Sequence, residues 1–75
     1  MLFRGDLLLN WRNGKGLSQS ESAREVNITQ EYWHALERGK RVPSIKLLQV
    51  ISEVTGLKKS ILLGETQRNI STKQR

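Results

Sequence analysis

Residues 18–39, SQSESAREVNITQEYWHALERG, read as two short helices with a sharp bend between them. Ser18 and Glu21 have the spacing of a capping box, in which each side chain accepts a hydrogen bond from the backbone amide of the other residue. Asn27 is among the few non-glycine residues that tolerate a positive φ, and it predicts the bend. Thr29 is a favourable N-cap for the second helix. The stretch therefore predicts a helix–bend–helix unit.

The inward and outward faces of this unit can be separated by helical spacing. Ala23 and Val26 face inward from the first helix, and Trp33 and Leu36 from the second. A small residue at position 23 lets the two helices approach closely. The second helix is then left with an outward face of short or hydrogen-bonding side chains, namely Thr29, Gln30, Glu31, His34 and Ala35.

Helical patterns flank the unit on both sides. A first helix is predicted with Asp6 as its cap and an apolar stripe formed by Phe3, Leu7, Leu8 and Trp11. After the extended basic loop that ends at Pro43, Ser44 should cap a fourth helix. Its inward residues, spaced every third position, are Ile45, Leu48, Ile51 and Val54. A short fifth helix is predicted over 58–63, and no stretch shows the alternation of a strand.

Length and composition limit the class of protein. Seventy-five residues make one domain, which we place at residues 1–64, and the polar, basic stretch 65–75 predicts a disordered tail. Thirteen Lys and Arg against seven Asp and Glu give a net charge of +6, which favours a polyanionic partner. The sequence has no cysteine and no apolar run of the about 18 residues that a membrane span needs. We expect no signal peptide, because Asp6 interrupts the apolar run near the N-terminus. We expect an all-α cytoplasmic protein, bacterial or phage-type and associated with the nucleoid, and we expect no membrane partner.

The outward face of the second helix has the chemistry that reads DNA. An α-helix fits the major groove, where Gln pairs with adenine, Glu accepts from the cytosine amino group, and Thr or Ala contacts the thymine methyl. We therefore predict base contacts by the five outward residues, 29–31, 34 and 35. Contacts to the sugar–phosphate backbone are predicted for Ser18, Gln19, Tyr32, Arg38, Lys40 and Arg41.

From about Leu8 to Leu63, the chain resembles the Cro and lambda-repressor-like (XRE-type) helix-turn-helix regulators. The residues that carry the resemblance are Arg12, Gly16-Leu17-Ser18-Gln19, Glu21, Ala23, Leu36-Glu37-Arg38-Gly39-Lys40-Arg41 and Pro43-Ser44. It implies a compact five-helix fold and a transcriptional repressor that binds an inverted-repeat operator in double-stranded DNA as a homodimer. It also implies a structural ion pair between Arg12 and Glu37.

The chain departs from that family pattern at three positions. Ser22 replaces the usual leucine, Trp33 replaces isoleucine or valine, and Thr55 stands where leucine is common. The first two changes are expected to compensate in volume, the small side chain making room for the large ring.

Other functions remain open. A protein of this fold also serves as an antitoxin or adaptor that binds another protein, here through the last helix or the tail. Ile61, Leu62 and Leu63 are the candidates for a dimer surface, since a short helix would not otherwise need three apolar residues. In the tail, Arg68, Lys73 and Arg75 form either a DNA-binding arm or solvated charge. His34 has no partner for a metal site, and neither a cofactor nor an enzymatic activity is predicted.

Overall fold

The computed structural model describes residues 3–64, and within that range the fold is all-α. The five helices are α1 (Gly5–Lys15), α2 (Gln19–Glu25), α3 (Gln30–Glu37), α4 (Ile45–Thr55) and α5 (Lys59–Leu62). Their order and number confirm the prediction of an all-α fold with five helices. The predicted tail, residues 65–75, lies outside the described residues.

The starts of α2, α3 and α4 are set by the capping residues that the sequence suggests. Both bonds of the capping box are present, from the Glu21 amide to Ser18 Oγ (3.0 Å) and from the Ser18 amide to Glu21 Oε1 (2.8 Å). Thr29 caps α3 through a bond from the Tyr32 amide to its Oγ1 (3.1 Å), and Ser44 caps α4 in the same way. Asn27 has a φ of 63°, so the bend between α2 and α3 is left-handed there as predicted.

The core lies between α3 and the helices around it. α2 and α1 both pack against α3, and α5 packs against α4. Trp33 and Leu36 of α3 are fully buried. The other buried apolar side chains, contributed by the N-terminal segment and the remaining helices, are Phe3, Leu8, Ala23, Val26, Leu48, Ile51 and Leu62. The face of α3 opposite Trp33 and Leu36 is left toward solvent.

The inward assignment of Ile45 is wrong, because this side chain is 85% exposed. A step of three residues turns about 300° around a helix, so a row at i, i+3, i+6 and i+9 drifts by about 60° per step. The buried face of α4 is centred near Ile51, with Leu48 and the partly buried Leu47 and Val54 beside it. Ile45, at the start of the row, has drifted off that face.

The predicted cap at Asp6 is also wrong. α1 begins at Gly5, with Arg4 in the N-cap position and no side-chain capping bond. Asp6 instead pairs with Arg4 on the surface, at 2.9 Å between Oδ2 and a guanidinium nitrogen. The Arg4 amide donates to the Leu62 carbonyl (2.6 Å), so a contact with α5 holds the residue just before α1.

Ser22 carries a buried hydroxyl that nothing satisfies within residues 3–64. The residue is fully buried on α2, and its Oγ has no hydrogen-bond partner there. An unsatisfied buried polar group costs about 1–3 kcal/mol. Ser22→Ala is therefore expected to raise the free energy of unfolding by about 1 kcal/mol in urea denaturation. The exposed Ser20→Ala change on the same helix is the control, and a less stable Ser22→Ala would show that the hydroxyl is satisfied in solution.

Candidate nucleic-acid interface

The solvent face of α3 presents a compact set of polar side chains. At about 100° per residue, the outward residues fall within an arc of roughly 140° on the side away from Trp33 and Leu36. The four exposed residues of this set are Gln30, Glu31, His34 and Arg38. Ala35 lies at the edge of the arc and is half-buried. Thr29 is exposed just before the helix, with its hydroxyl oxygen already engaged as the cap. These side chains form one face, which we call the α3 outer face.

A basic segment borders the C-terminal end of that face. Gly39 turns the chain with a φ of 74°, and the Lys40 amide donates to the Ala35 carbonyl (2.9 Å), so the loop folds back against α3. Lys40 and Arg41 are both exposed. The Arg41 guanidinium lies 5.0 Å from the centroid of the Tyr32 ring, a cation–π distance. The loop thus places two exposed basic residues just after the C-terminal end of α3.

An ion pair ties α3 to α1. Arg12 Nε lies 2.6 Å from Glu37 Oε2, and a second guanidinium nitrogen lies 3.3 Å from Oε1. The side chains are 16% and 4% exposed, respectively, so the pair is largely removed from water. Arg12 also donates to the Leu17 carbonyl (3.2 Å), at the entry to α2. This is the pair that the family resemblance implies, and it fixes α3 relative to α1 and the start of α2.

Two further donors converge on the Glu37 carboxylate. The Trp33 indole Nε1 lies 2.5 Å from Oε2, and Gln19 Nε2 lies 3.0 Å from Oε1. Burial by itself raises the pKa of Glu37, but the hydrogen bonds from Arg12, Gln19 and Trp33 outweigh it and leave the pKa lowered. Glu37 is therefore ionised at neutral pH and acts only as an acceptor.

Residues 8–62 match the helix-turn-helix family HTH_3. The chain belongs to this family of XRE- and Cro-type DNA-binding domains. No curated protein sequence matches the chain.

Two solved structures share the fold of this helix-turn-helix domain. The SinR protein/SinI protein complex matches with a TM-score of 0.72 and 28% identity over 92% of this chain and 68% of that one. The clp gene regulator ClgR from C. glutamicum matches with a TM-score of 0.65 and 26% identity over 91% of this chain and 88% of that one. The predicted family is thus confirmed.

Gln19, which is predicted to contact a phosphate, is engaged within the domain through its side-chain amide. Its amide nitrogen donates to Glu37 Oε1 (3.0 Å) and lies 3.1 Å from His34 Nδ1, so both of its near partners are within the helix-turn-helix domain. The side-chain donor group of Gln19 is thus engaged within the domain, and the phosphate contact of this residue stays a prediction. The reason is tertiary, since folding brings Gln19 next to α3 residues 15 and 18 positions away.

One of the three dimer candidates is wrong. Leu62 is fully buried in the core of its own domain. Its carbonyl accepts a hydrogen bond from the Arg4 amide, and α5 packs against α4. Ile61 is 36% exposed and Leu63 is half-buried. A dimer surface at α5 therefore has Ile61 and Leu63 as its remaining candidates.

The indole bond of Trp33 was not anticipated, although the sequence carries a signal for it. Trp33 and Glu37 are four residues apart on one helix, a spacing that brings side chains together. In addition, the Trp33 ring lies 6.2 Å from that of Trp11, tilted by 50°.

Among residues 3–64 no helix is both long enough and apolar enough to cross a membrane, and no cluster of ligating side chains suits a metal ion.

Proposed function

We propose that this chain is a sequence-specific regulator of transcription, acting as a repressor, that reads double-stranded DNA from the major groove with α3. The observation that carries the proposal is the α3 outer face, on which four exposed hydrogen-bonding side chains accompany Ala35, while Trp33 and Leu36 on the opposite face are fully buried. Exposed Lys40 and Arg41 lie beside it, where phosphates flank the groove. The net charge of +6 supports the same partner.

The roles divide by chemistry. Gln30, near the start of α3, would pair with adenine, Glu31 would accept from a cytosine amino group, and Thr29 and Ala35 would contact thymine methyl groups. Ser18, Tyr32, Arg38, Lys40 and Arg41 would hold the sugar–phosphate backbone. The Arg12–Glu37 pair would keep α3 at a constant angle in the groove. We expect a homodimer on an inverted repeat, with half-sites about one helical turn apart.

A second candidate is a module whose main partner is another protein, as in an antitoxin or adaptor. The matched SinR protein is described in complex with SinI protein, which makes a protein partner a reasonable alternative for this fold. Exposed Ile61 on α5 and the tail are the regions that we would assign to it. Stable co-purification with a second protein, together with no specific binding to DNA at physiological salt, would favour this candidate.

Selection of bound duplexes from a random pool tests the main proposal. The expected result is an enriched inverted repeat whose half-site spacing matches one helical turn. A pool that shows no enrichment over a non-specific basic protein would contradict sequence-specific binding.

Two substitutions should separate base reading from phosphate binding. Lys40→Ala should weaken binding to all duplexes about equally. It should also reduce the slope of log K against log salt concentration by about 1, since each phosphate contact releases counterions. Gln30→Ala should instead relax the preference at one base pair, at about 1–3 kcal/mol. Affinities measured on selected and scrambled duplexes at several salt concentrations distinguish the two, with Lys59→Ala on α5 as the control. The opposite pattern would reverse the assigned roles.

A further inference from the structure

A chain of hydrogen bonds runs from the buried ion pair to the α3 outer face. It starts at Glu37, passes through the Gln19 side chain and ends at His34, the one histidine in the sequence. Gln19 Nε2 is the middle of the chain, at 3.0 Å from Glu37 Oε1 and 3.1 Å from His34 Nδ1. Glu37 is 4% exposed, whereas His34 is exposed. A buried charge is therefore connected to a side chain on the proposed reading face.

The direction of every bond in this chain follows from the charge at its buried end. An ionised carboxylate is an acceptor only, so the Gln19 atom that faces Glu37 is the amide nitrogen and not the carbonyl oxygen. That nitrogen carries two hydrogens. One goes to Glu37, and the other is directed at His34 Nδ1.

His34 must then accept at Nδ1, and this decides where its own proton lies. A neutral imidazole has one N–H donor and one acceptor nitrogen. With Nδ1 accepting from Gln19, the proton is on Nε2. The ring nitrogen that is not engaged by Gln19 is therefore a donor.

We propose that the Glu37–Gln19–His34 chain makes His34 a reader of hydrogen-bond acceptors in the major groove, with Gln19 as its positioning residue. This inference rests on the proposed function. Guanine fits best, since N7 and O6 are both acceptors, whereas the amino groups of adenine N6 and cytosine N4 are donors that oppose the His34 Nε2–H. Gln19 acts through His34 and not as a phosphate ligand.

The protonation of the ring can be measured without DNA. In the ¹⁵N-labelled full chain, the single histidine makes two-bond proton–nitrogen spectra unambiguous, and at a pH where the ring is neutral we expect a proton on Nε2 and a bare Nδ1. Gln19→Leu, which keeps the side chain bulk and removes the donor, should raise the Nδ1-protonated fraction. A protonated Nδ1 in the wild type, or an unchanged fraction in Gln19→Leu, would overturn the role of Gln19.

The base contact is tested by removing a single acceptor atom from the selected site. Replacing the contacted guanine by 7-deazaguanine, which has C–H in place of N7, should weaken wild-type binding about five- to tenfold, the value of roughly one hydrogen bond. His34→Ala should bind both duplexes equally, and Gln19→Leu should reduce the difference between them. Lys59→Ala, at an exposed position on α5 outside the reading face, is the control and should keep the full difference at that guanine.

The two levels of failure are distinguishable. If no specific site is selected, the proposed function is wrong, and so is the proposed contact between His34 and a base. The NMR measurement of the His34 ring would still test the hydrogen-bond chain. If a specific site is bound but His34→Ala relaxes the preference at an adenine or cytosine amino group, the function stands and this inference is wrong.

Discussion

Glu37→Ala is expected to lower the free energy of unfolding by about 3–5 kcal/mol, because it leaves the largely buried Arg12 guanidinium without its partner. The Arg12 side chain is 16% exposed and makes two hydrogen bonds to this carboxylate. Because so little of the guanidinium is exposed, water cannot freely take the place of the lost carboxylate. The same change removes the acceptor of the Trp33 indole and of the Gln19 amide. A domain of this size has only about 5–15 kcal/mol of stability, so the loss should appear as a large drop in the urea midpoint.

Acid titration supplies the control for this effect. Because the pKa of Glu37 is lowered from its ordinary value of 4.5, its stabilisation is present above that pH and is lost as the pH falls through the lowered pKa. The gap in stability between wild type and Glu37→Ala should therefore narrow below pH 4.5. The exposed Glu53→Ala, on α4, should change stability by less than about 0.5 kcal/mol. An unchanged melting temperature in Glu37→Ala would refute a structural role for the pair.

Gly5→Ala is expected to destabilise the domain by about 3 kcal/mol, at the upper end of the usual cost of overpacking. Gly5 is buried at the first residue of α1, where the helix meets the C-terminal end of α3. A Cβ placed there would overlap the Leu36 carbonyl oxygen and lie 2.7 Å from that of Glu37. Both atoms are backbone, so no side chain can rotate away, and α1 would have to move off α3.

Gly14→Ala is the matched control on the same helix. A Cβ at Gly14 meets no atom within 4 Å. Replacing glycine by alanine inside a helix stabilises it by roughly 0.5–1 kcal/mol when the space is free. Thermal denaturation of both variants should thus give shifts of opposite sign. A stable Gly5→Ala protein would show that α1 and α3 can separate at little cost.

The local elements could be predicted because each depends on residues close together in sequence. The capping box at Ser18 and Glu21 and the left-handed turn at Asn27 need only short-range chemistry, and the structure has both. The buried positions of Trp33 and Leu36 follow from helical spacing across α3, and they leave its opposite side free. The family resemblance added the pairing of Arg12 with Glu37, which spacing alone does not contain.

Two of the errors occur where a side chain's position depends on the angle at which whole helices meet. Ile45 satisfies an apolar row but points to solvent, since the buried face of α4 is set by what packs on it. A leucine such as Leu62 can lie either in a dimer interface or in the core, and its side chain chemistry does not distinguish the two. The packing of α5 on α4 buries it in the core.

The sequence by itself therefore determined the helix–bend–helix unit at residues 18–39, its outward face and its basic border, because caps, turns and helical periodicity are local. The tertiary structure decided the close approach of Gly5 to α3 and the hydrogen-bond chain from Glu37 through Gln19 to His34. Those contacts join residues that are 15 or more positions apart, and no local propensity encodes their distance or direction. They exist because α1, α2 and α3 pack around one buried carboxylate.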